Sequence, residues 1–176
     1  SALMKLCRYE QAIICYNKAI EINPRYALAW YYKGIASFIL GQYEKALYYY
    51  DNAINIVPSL AKVWQSRGYV LYKLAYFSDA IKSFDMALEE NPLSADTWYN
   101  KGVVFKNLGC FAEALKAYDE ALNIYNFDHR YWNNKGVVLK NLGRYEEALT
   151  CYDKVILLGH MDIIVLNNKG NAFYGL

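Results

Sequence analysis

The chain has 176 residues, of which 56% are hydrophobic and 20% are charged, and its formal net charge at pH 7 is +2. This much apolar material excludes a disordered chain, and the even charge balance argues against a basic nucleic-acid arm or a polybasic membrane anchor. Charged residues interrupt every apolar run well before the roughly 18 residues that a membrane span needs. We therefore expect a folded protein with no membrane partner.

The cysteines and histidines form no pattern that is typical of a metal or catalytic site. The four cysteines are Cys7, Cys15, Cys110 and Cys151, and the two histidines are His129 and His160. No two cysteines have the spacing of zinc ligands, and no string typical of serine hydrolases, zinc proteases or nucleotide-binding loops occurs. We expect reduced thiols in a cytoplasmic, non-enzymatic protein that holds no cofactor and no metal.

Three residue types recur along the chain at a fixed interval of 34 residues. They are glycine at Gly34, Gly68, Gly102, Gly136 and Gly170, tryptophan at Trp30, Trp64, Trp98 and Trp132, and proline at Pro24, Pro58 and Pro92. A fixed period of this length is typical of a solenoid, in which each repeat buries its face against its neighbours.

Each period predicts two helices. In residues 95–128, small and apolar residues at three- and four-residue steps around Trp98 and Gly102 indicate a first helix with one buried face. Gly109 supplies a turn residue that tolerates positive φ, and a second helix with the same periodicity follows. In chain order, the register predicts a partial repeat over 1–26 that is mainly a second helix, full repeats over 27–60, 61–94, 95–128 and 129–162, and a further first helix over 163–176. We expect one array over 1–176, cut from a longer chain.

Small and capping residues occupy fixed places in this register. We expect Gly102 to face Ala114 across the helix pair, so that the two backbones approach closely. Ser94, Asp128 and Asp162 lie where their side chains could N-cap successive first helices. The prolines lie just beyond second helices, where they would end them.

A few residues depart from the register. Cys7 and Ala75 stand where the other turns have glycine, and Asn126 and His160 stand where the earlier repeats have proline. Each of these residues replaces a glycine or a proline of the repeat pattern, but the interval of 34 residues is kept.

A cation recurs in every first helix and an aspartate in four second helices. They are Lys33, Arg67, Lys101, Lys135 and Lys169, and Asp51, Asp85, Asp119 and Asp153. One interpretation is a ladder of ion pairs along the stack. The alternative is that the lysine stems lie along apolar surface with solvated heads, each pair contributing about 0 to 1 kcal/mol.

This register resembles the tetratricopeptide repeat (TPR) family over the whole chain. In residues 95–128 the family's tryptophan, glycine, alanine and aromatic residue stand at Trp98, Gly102, Ala114 and Tyr118. The resemblance implies an all-α, right-handed superhelical solenoid of antiparallel helix pairs, with first helices lining a concave groove. It also implies that the groove binds a protein or peptide partner.

The resemblance identifies which first-helix side chains would face that groove. We expect the site to comprise Tyr31, Tyr32, Phe38, Tyr69, Tyr72, Tyr99, Asn100, Lys106, Arg130, Asn133, Asn134, Lys140, Asn167, Asn168 and Asn171. The N-terminal members are aromatic, and the C-terminal members are mostly amides and cations.

Asn100, Asn134 and Asn168 recur at one groove position. Because a carboxamide both donates and accepts, such a column can bond successive peptide groups of an extended chain whatever its sequence. The arrangement resembles the asparagine ladder of O-linked N-acetylglucosamine transferases. The alternative is that these asparagines are neutral, solvated helix residues. The family's carboxylate clamp is disfavoured, because Tyr31 and Ile35 stand where it needs lysine and asparagine.

Three functions follow from these patterns. The first is a scaffold that binds an extended peptide, with its apolar end near Tyr31 and Phe38 and its polar or acidic end near Lys106, Arg130 and Lys140. The second is head-to-tail association of copies through uncapped terminal helices into an extended superhelix. The third is single-stranded RNA stacked on tyrosines, and the near-neutral charge argues against nucleic acid.

Overall fold

The computed structural model describes the backbone of residues 2–176 and the side chains of residues 8–176. All the regular structure of this described part is helical. The helices are α1 (Ala2–Ile22), α2 (Ala27–Ile39), α3 (Tyr43–Ile56), α4 (Ala61–Lys73), α5 (Phe77–Glu90), α6 (Ala95–Asn107), α7 (Phe111–Ile124), α8 (His129–Asn141), α9 (Tyr145–Leu157) and α10 (Ile163–Gly175). The predicted all-α solenoid of helix pairs is confirmed, and α2, α4, α6, α8 and α10 begin at the residues where the register starts each repeat.

Contacts within the chain define two compact units, residues 1–92 and residues 93–176. In the first unit, the core surrounds the buried Tyr50 ring and includes Val63 and Val70. In the second, Tyr152 and Val155 form a core with Val165 of α10. In both units, each second helix buries an aromatic ring against the first helix of its pair, at Tyr50, Phe84, Tyr118 and Tyr152. The single array over 1–176 stays a prediction.

The prediction of a turn at Cys7 is wrong. Helix α1 continues through this residue from Ala2 to Ile22, and the Cys7 side chain lies outside the described part.

The turns between paired helices use the left-handed backbone region. Gly41, Gly109 and Gly143 each have φ of 75°, and Ala75 has φ of 61° at the equivalent turn. The turn predicted at Ala75 therefore forms without glycine. An alanine in this conformation costs roughly 1–2 kcal/mol relative to glycine.

An aromatic ring, rather than Ala114, packs directly on Gly102. A Cβ atom added at Gly102 would lie 2.6 Å from Cε1 of Tyr118, and the equivalent rings of Tyr50, Phe84 and Tyr152 pack as closely on Gly34, Gly68 and Gly136. We expected Ala114 to pack on Gly102, but the nearest atoms belong to the Tyr118 ring. The reason for glycine is still a close approach, because the second helix places its buried ring against the first-helix backbone.

Each tryptophan whose hydrogen bond is described fastens the loop that precedes its helix. The indole nitrogens of Trp30 and Trp64 donate to the carbonyl oxygens of Pro24 and Pro58, at 2.9 and 2.8 Å. Trp132 donates to the carbonyl oxygen of Asn126 at 2.8 Å, although this residue is not proline. The tether therefore depends on the backbone of the loop and not on its proline.

Two of the three predicted N-caps form. The Asp128 side chain accepts a hydrogen bond from the backbone N–H of Arg130, and Asp162 accepts one from Val165. Ser94 makes no such bond to the backbone of α6. Its hydroxyl instead lies 2.7 Å from that of Thr97, so the prediction of a Ser94 cap is wrong.

Among the described residues, ion pairs that join successive repeats include three of the predicted kind. Arg67 pairs with Asp51 at 2.7 Å, and Lys135 with Asp119 and Lys169 with Asp153 at 2.5 Å. In each pair, the aspartate is on a second helix and the cation is on the next first helix. Lys33 differs, since its ammonium lies 4.1 Å from the centre of the Tyr49 ring. The predicted ladder therefore forms at these three steps.

Candidate functional site

The first helices of the second unit lie side by side. Helix α6 contacts α8, and α8 contacts α10, because each pair stacks on the next with the same register. We call their shared face the first-helix surface of the second unit. Its predicted members are Tyr99, Asn100, Lys106, Arg130, Asn133, Asn134, Lys140, Asn167, Asn168 and Asn171.

A hydrogen-bonded chain links α6 to α8 on this surface. The ammonium of Lys106 donates to Oδ1 of Asn134 at 2.6 Å. The Asn134 amide nitrogen donates to the Tyr99 hydroxyl at 3.1 Å and to the carbonyl oxygen of Arg130 at 3.0 Å. Burial lowers the pKa of Lys106 below its ordinary value. Lys106 is thus a partly desolvated cation whose described hydrogen-bond acceptor is a neutral amide.

Arg130 lies between two carboxylates. Its Nη2 atom is 2.6 Å from an Asp128 oxygen and 3.1 Å from an Asp96 oxygen. Burial acts to raise the pKa of Asp128, but hydrogen bonds and charge from Arg130 outweigh it and hold the pKa below its ordinary value. The guanidinium carbon also lies 5.3 Å from the centre of the Tyr99 ring. Arg130 is therefore largely engaged within the fold.

Asparagines link α8 to α10. The Asn168 amide nitrogen donates to Oδ1 of Asn133 at 3.3 Å. Asn167 and Asn171 are exposed on the same helix, whereas Asn100 is half-buried on α6. Amide groups therefore occupy all three first helices of this unit.

The first unit carries an aromatic surface on α2 and α4. The Tyr31 and Tyr32 rings lie 5.2 Å apart, and Phe38 on α2 packs against Tyr69 on α4 at 5.6 Å. The Tyr69 and Tyr72 rings are 6.2 Å apart. The five aromatic residues predicted for this part of the site are thus grouped by contacts within and between α2 and α4.

Tyr131 belongs to the polar network and was not predicted. Its hydroxyl donates to Asp96 at 2.9 Å, and its ring stacks on Tyr99 with centroids 4.8 Å apart. Burial, followed by the bond to Asp96, raises the pKa of the Tyr131 phenol. The equivalent residues in other first helices are Ala29, Val63, Thr97 and Val165. One tyrosine in a column of small residues was the available signal, because a buried hydroxyl needs a partner.

We looked for a metal site and for a membrane-spanning helix among the described residues. Among them, no group of three or more histidine, cysteine, aspartate or glutamate side chains is placed to hold a metal ion. None of the helices in the described part is long and apolar enough to cross a membrane.

Comparison with models of protein families gives matches to tetratricopeptide repeat models. Models described as "Tetratricopeptide repeat" match residues 1–26, 95–126 and 129–159 in one case and residues 15–48 in another. A model described as "TPR repeat" matches residues 36–74. A search of curated protein sequences finds no match.

Comparison with solved structures finds the same fold. A structure of MamA matches with a TM-score of 0.82 at 20% identity, covering 86% of this chain and 88% of the other. MamA from Desulfovibrio magneticus RS-1 matches with a TM-score of 0.81 at 19% identity, covering 86% and 85%. YrrB, described as a TPR protein with an unusual peptide-binding site, matches with a TM-score of 0.80 at 24% identity, covering 96% and 87%.

Proposed function

Because the chain belongs to the tetratricopeptide repeat family, we propose that it is a non-enzymatic scaffold that binds an extended peptide segment along its first helices. The observation that carries this proposal is the first-helix surface of the second unit, where amides and a desolvated cation lie on three adjacent helices. The description of YrrB as a protein with a peptide-binding site agrees with a peptide as the class of ligand.

Lys106 favours an acidic group on the peptide. Its ammonium has three donors and gives one of them to the neutral Oδ1 of Asn134. A cation that has lost water gains more from a carboxylate than an exposed one does, because the local dielectric is lower. Lys140 stands one repeat later in the equivalent place. We propose that these two lysines bind an acidic side chain or a terminal carboxylate.

We propose that Asn100, Asn134 and Asn168 do not all bond the peptide backbone. Asn134 already donates both of its amide hydrogens, to Tyr99 and Arg130. It can therefore accept one more hydrogen bond, but it cannot donate without breaking a bond of the fold. Asn168 gives one hydrogen to Asn133 and keeps the other. We propose that Asn100 and Asn168 bond the peptide and that Asn134 positions Lys106.

The aromatic surface of the first unit is proposed to bind apolar side chains. Tyr32 is exposed, and Tyr31, Phe38 and Tyr69 are half-buried. Rings of this kind offer large contact area with few rotatable bonds, so they lose little entropy on binding. An aliphatic or aromatic peptide side chain would pack between α2 and α4.

An array of twelve-residue peptides of varied sequence, probed with the full chain, tests the proposal. The peptides that bind are then titrated against wild type and against Asn100→Ala/Asn168→Ala. Because backbone bonds do not depend on peptide sequence, we expect the double variant to weaken all of them, by about tenfold. Asn123→Ala, on the exposed side of α7, is the control. Unchanged affinity in the double variant would reject the asparagine ladder.

A second proposal is association between copies, favoured by the apolar face of α10. Ile163, Ile164 and Tyr174 are 83%, 60% and 96% exposed. Beside α1, a cleft of about 410 Å³ is lined by Tyr9, Tyr16 and other residues. The α10 helix of one copy would dock in this cleft of the next.

Light scattering over a concentration series tests this association. We expect the mean mass to rise with concentration for wild type and to stay at the monomer value for Tyr174→Asp, which places a charge on the apolar face. A wild-type chain that stays monomeric at the highest concentration would reject it.

A further inference from the structure

One exposed column of the repeat changes from polar to apolar within the second unit, and an apolar column lies beside it. Leu157 stands where the other full repeats have Asn55, Glu89 and Asn123. Phe127 stands in a second exposed column, whose residues in the first unit are polar (Arg25 and Ser59) and whose other residues in the second unit are apolar (Leu93 and Met161). Leu157 is 78% exposed and Phe127 is 68% exposed. Apolar side chains that replace polar ones at exposed positions and lie together usually mark an interaction surface.

These side chains line a cleft between the α7–α8 loop and the end of α9. The cleft has a volume of about 160 Å³, and its lining consists of Asn126, Phe127, Trp132, Lys154, Leu157 and Leu158. None of these residues is a member of the first-helix surface. An apolar cavity of about 150 Å³ holds one benzene molecule. The cleft therefore has room for one large apolar side chain.

The loops around the cleft are held in place. The Trp132 indole donates to the Asn126 carbonyl oxygen at 2.8 Å. The ring of His160 stacks on that of His129 with centroids 3.6 Å apart, which joins the loop after α9 to the start of α8. Because the indole N–H is already bonded, the floor of the cleft offers an occupant apolar contact rather than a hydrogen bond.

Lys154 supplies the one charge in the lining. It is exposed, and no carboxylate among the described residues pairs with its ammonium, whereas Lys135 and Lys169 of the same unit pair with aspartates. An occupant that places a carboxylate beside its apolar side chain would complement this free cation.

We propose that this cleft is a second docking site, which binds a short segment of a partner protein carrying one large apolar side chain next to an aspartate or glutamate. The apolar side chain enters between Phe127 and Leu157, and the acidic neighbour pairs with Lys154. The site does not depend on the first-helix surface, so a partner bound there can be held at the same time.

Synthetic pentapeptides test the docking site on the full chain. The first is acetyl-Gly-Glu-Phe-Glu-Gly-amide, the second has lysine in place of both glutamates, and the third has alanine in place of phenylalanine. Titrations are followed by the NMR signal of the Trp132 indole N–H. We expect saturable shifts with the first peptide, about threefold weaker binding of the second, and no saturation with the third.

Two variants and a matched control make the test specific. Leu157→Asn restores the residue type of the other repeats and should weaken the first peptide by about tenfold or more. Lys154→Gln should remove the preference for glutamate over lysine. Leu142→Asn changes an exposed leucine at the opposite end of α8 and should bind like wild type, and thermal unfolding checks that each variant is folded.

Three outcomes would overturn the proposal. They are the absence of any shift with the first peptide at millimolar concentration, equal affinity of wild type and Leu157→Asn, and a glutamate preference that survives Lys154→Gln. Loss of binding in the Asn100→Ala/Asn168→Ala variant would also contradict it, because the cleft contains neither residue.

Discussion

At the scale of single residues, a ring of the paired second helix requires glycine at Gly34, Gly68, Gly102 and Gly136 of the first helices. A Cβ atom at Gly102 would lie 2.6 Å from Tyr118, whereas one at Gly170 would meet nothing within 4 Å. We therefore expect Gly102→Ala to lower the free energy of unfolding by about 1–3 kcal/mol. Gly170→Ala should leave it unchanged or raise it by up to about 1 kcal/mol through helix propensity. Urea unfolding of both variants checks this, and equal effects would contradict it.

The buried Tyr152 hydroxyl gives a second prediction at this scale. It has no hydrogen-bond partner among the described residues, burial raises the pKa of the phenol, and Phe84 fills the equivalent place in another pair. Tyr152→Phe should leave the free energy of unfolding unchanged or raise it by about 1 kcal/mol. Tyr131→Phe is the contrast, because it removes a bond to Asp96 and should cost about 0.5–1.5 kcal/mol. A large loss in Tyr152→Phe would show that the hydroxyl is bonded.

Single residues also show what sequence can and cannot predict. The turn at Gly109 follows from the register, because glycine alone tolerates positive φ without cost. The register does not show that Asn134 already donates both of its amide hydrogens. Its partners Lys106 and Tyr99 are on another helix, and the bonds depend on side-chain conformation. Periodicity thus predicts which residues share a surface, but not which of their donors are already used.

At the scale of helices, the structure distinguishes two residues that the sequence predicts equally as N-caps. Asp162 accepts a bond from Val165 N–H at 2.9 Å, whereas Ser94 bonds no backbone N–H of α6. Asp162→Ala should therefore cost about 1 kcal/mol, and Ser94→Ala should cost less than half as much. Thermal unfolding measures both, and an equal or larger loss in Ser94→Ala would contradict the assignment of the caps.

The ion pairs between repeats call for a double-mutant cycle. Lys135 and Asp119 are paired at 2.5 Å, with about a quarter and a half of their side chains exposed. Because water screens such a pair, we expect a coupling energy of about 0.2–1 kcal/mol that falls as salt is raised. The cycle uses Lys135→Met and Asp119→Asn. A coupling that is absent at low salt would show that the pair contributes no stability.

Helix boundaries are the part of the fold that the register predicts best. The first helices begin at the predicted residues because a glycine recurs in every first helix and proline precedes three of them. The helix through Cys7 was missed, since periodicity does not show whether a position that lacks glycine forms a turn, as Ala75 does, or continues a helix. The tryptophan tethers were missed too, because the indole donor and its carbonyl acceptor are matched by folding and not by residue type.

At the scale of the whole molecule, the chain is a repeat protein whose apolar residues serve many small interfaces. Each of its two compact units has its own buried rings and its own surface of first-helix side chains. The change from aromatic residues on α2 and α4 to amides and lysine on α6, α8 and α10 was visible in the sequence. The identity of a ligand was not, because recognition depends on donors and acceptors that the fold leaves free.

The central claim is that the first helices of the second unit bind a peptide through free amides. The most direct test is an NMR titration of the ¹⁵N-labelled chain with the tightest peptide from the array, followed through the asparagine side-chain NH₂ signals. We predict that the Asn100 and Asn168 signals shift and saturate together, and that Asn123 on α7 does not move. Shifts at Asn123 with none at Asn100 and Asn168 would contradict the claim.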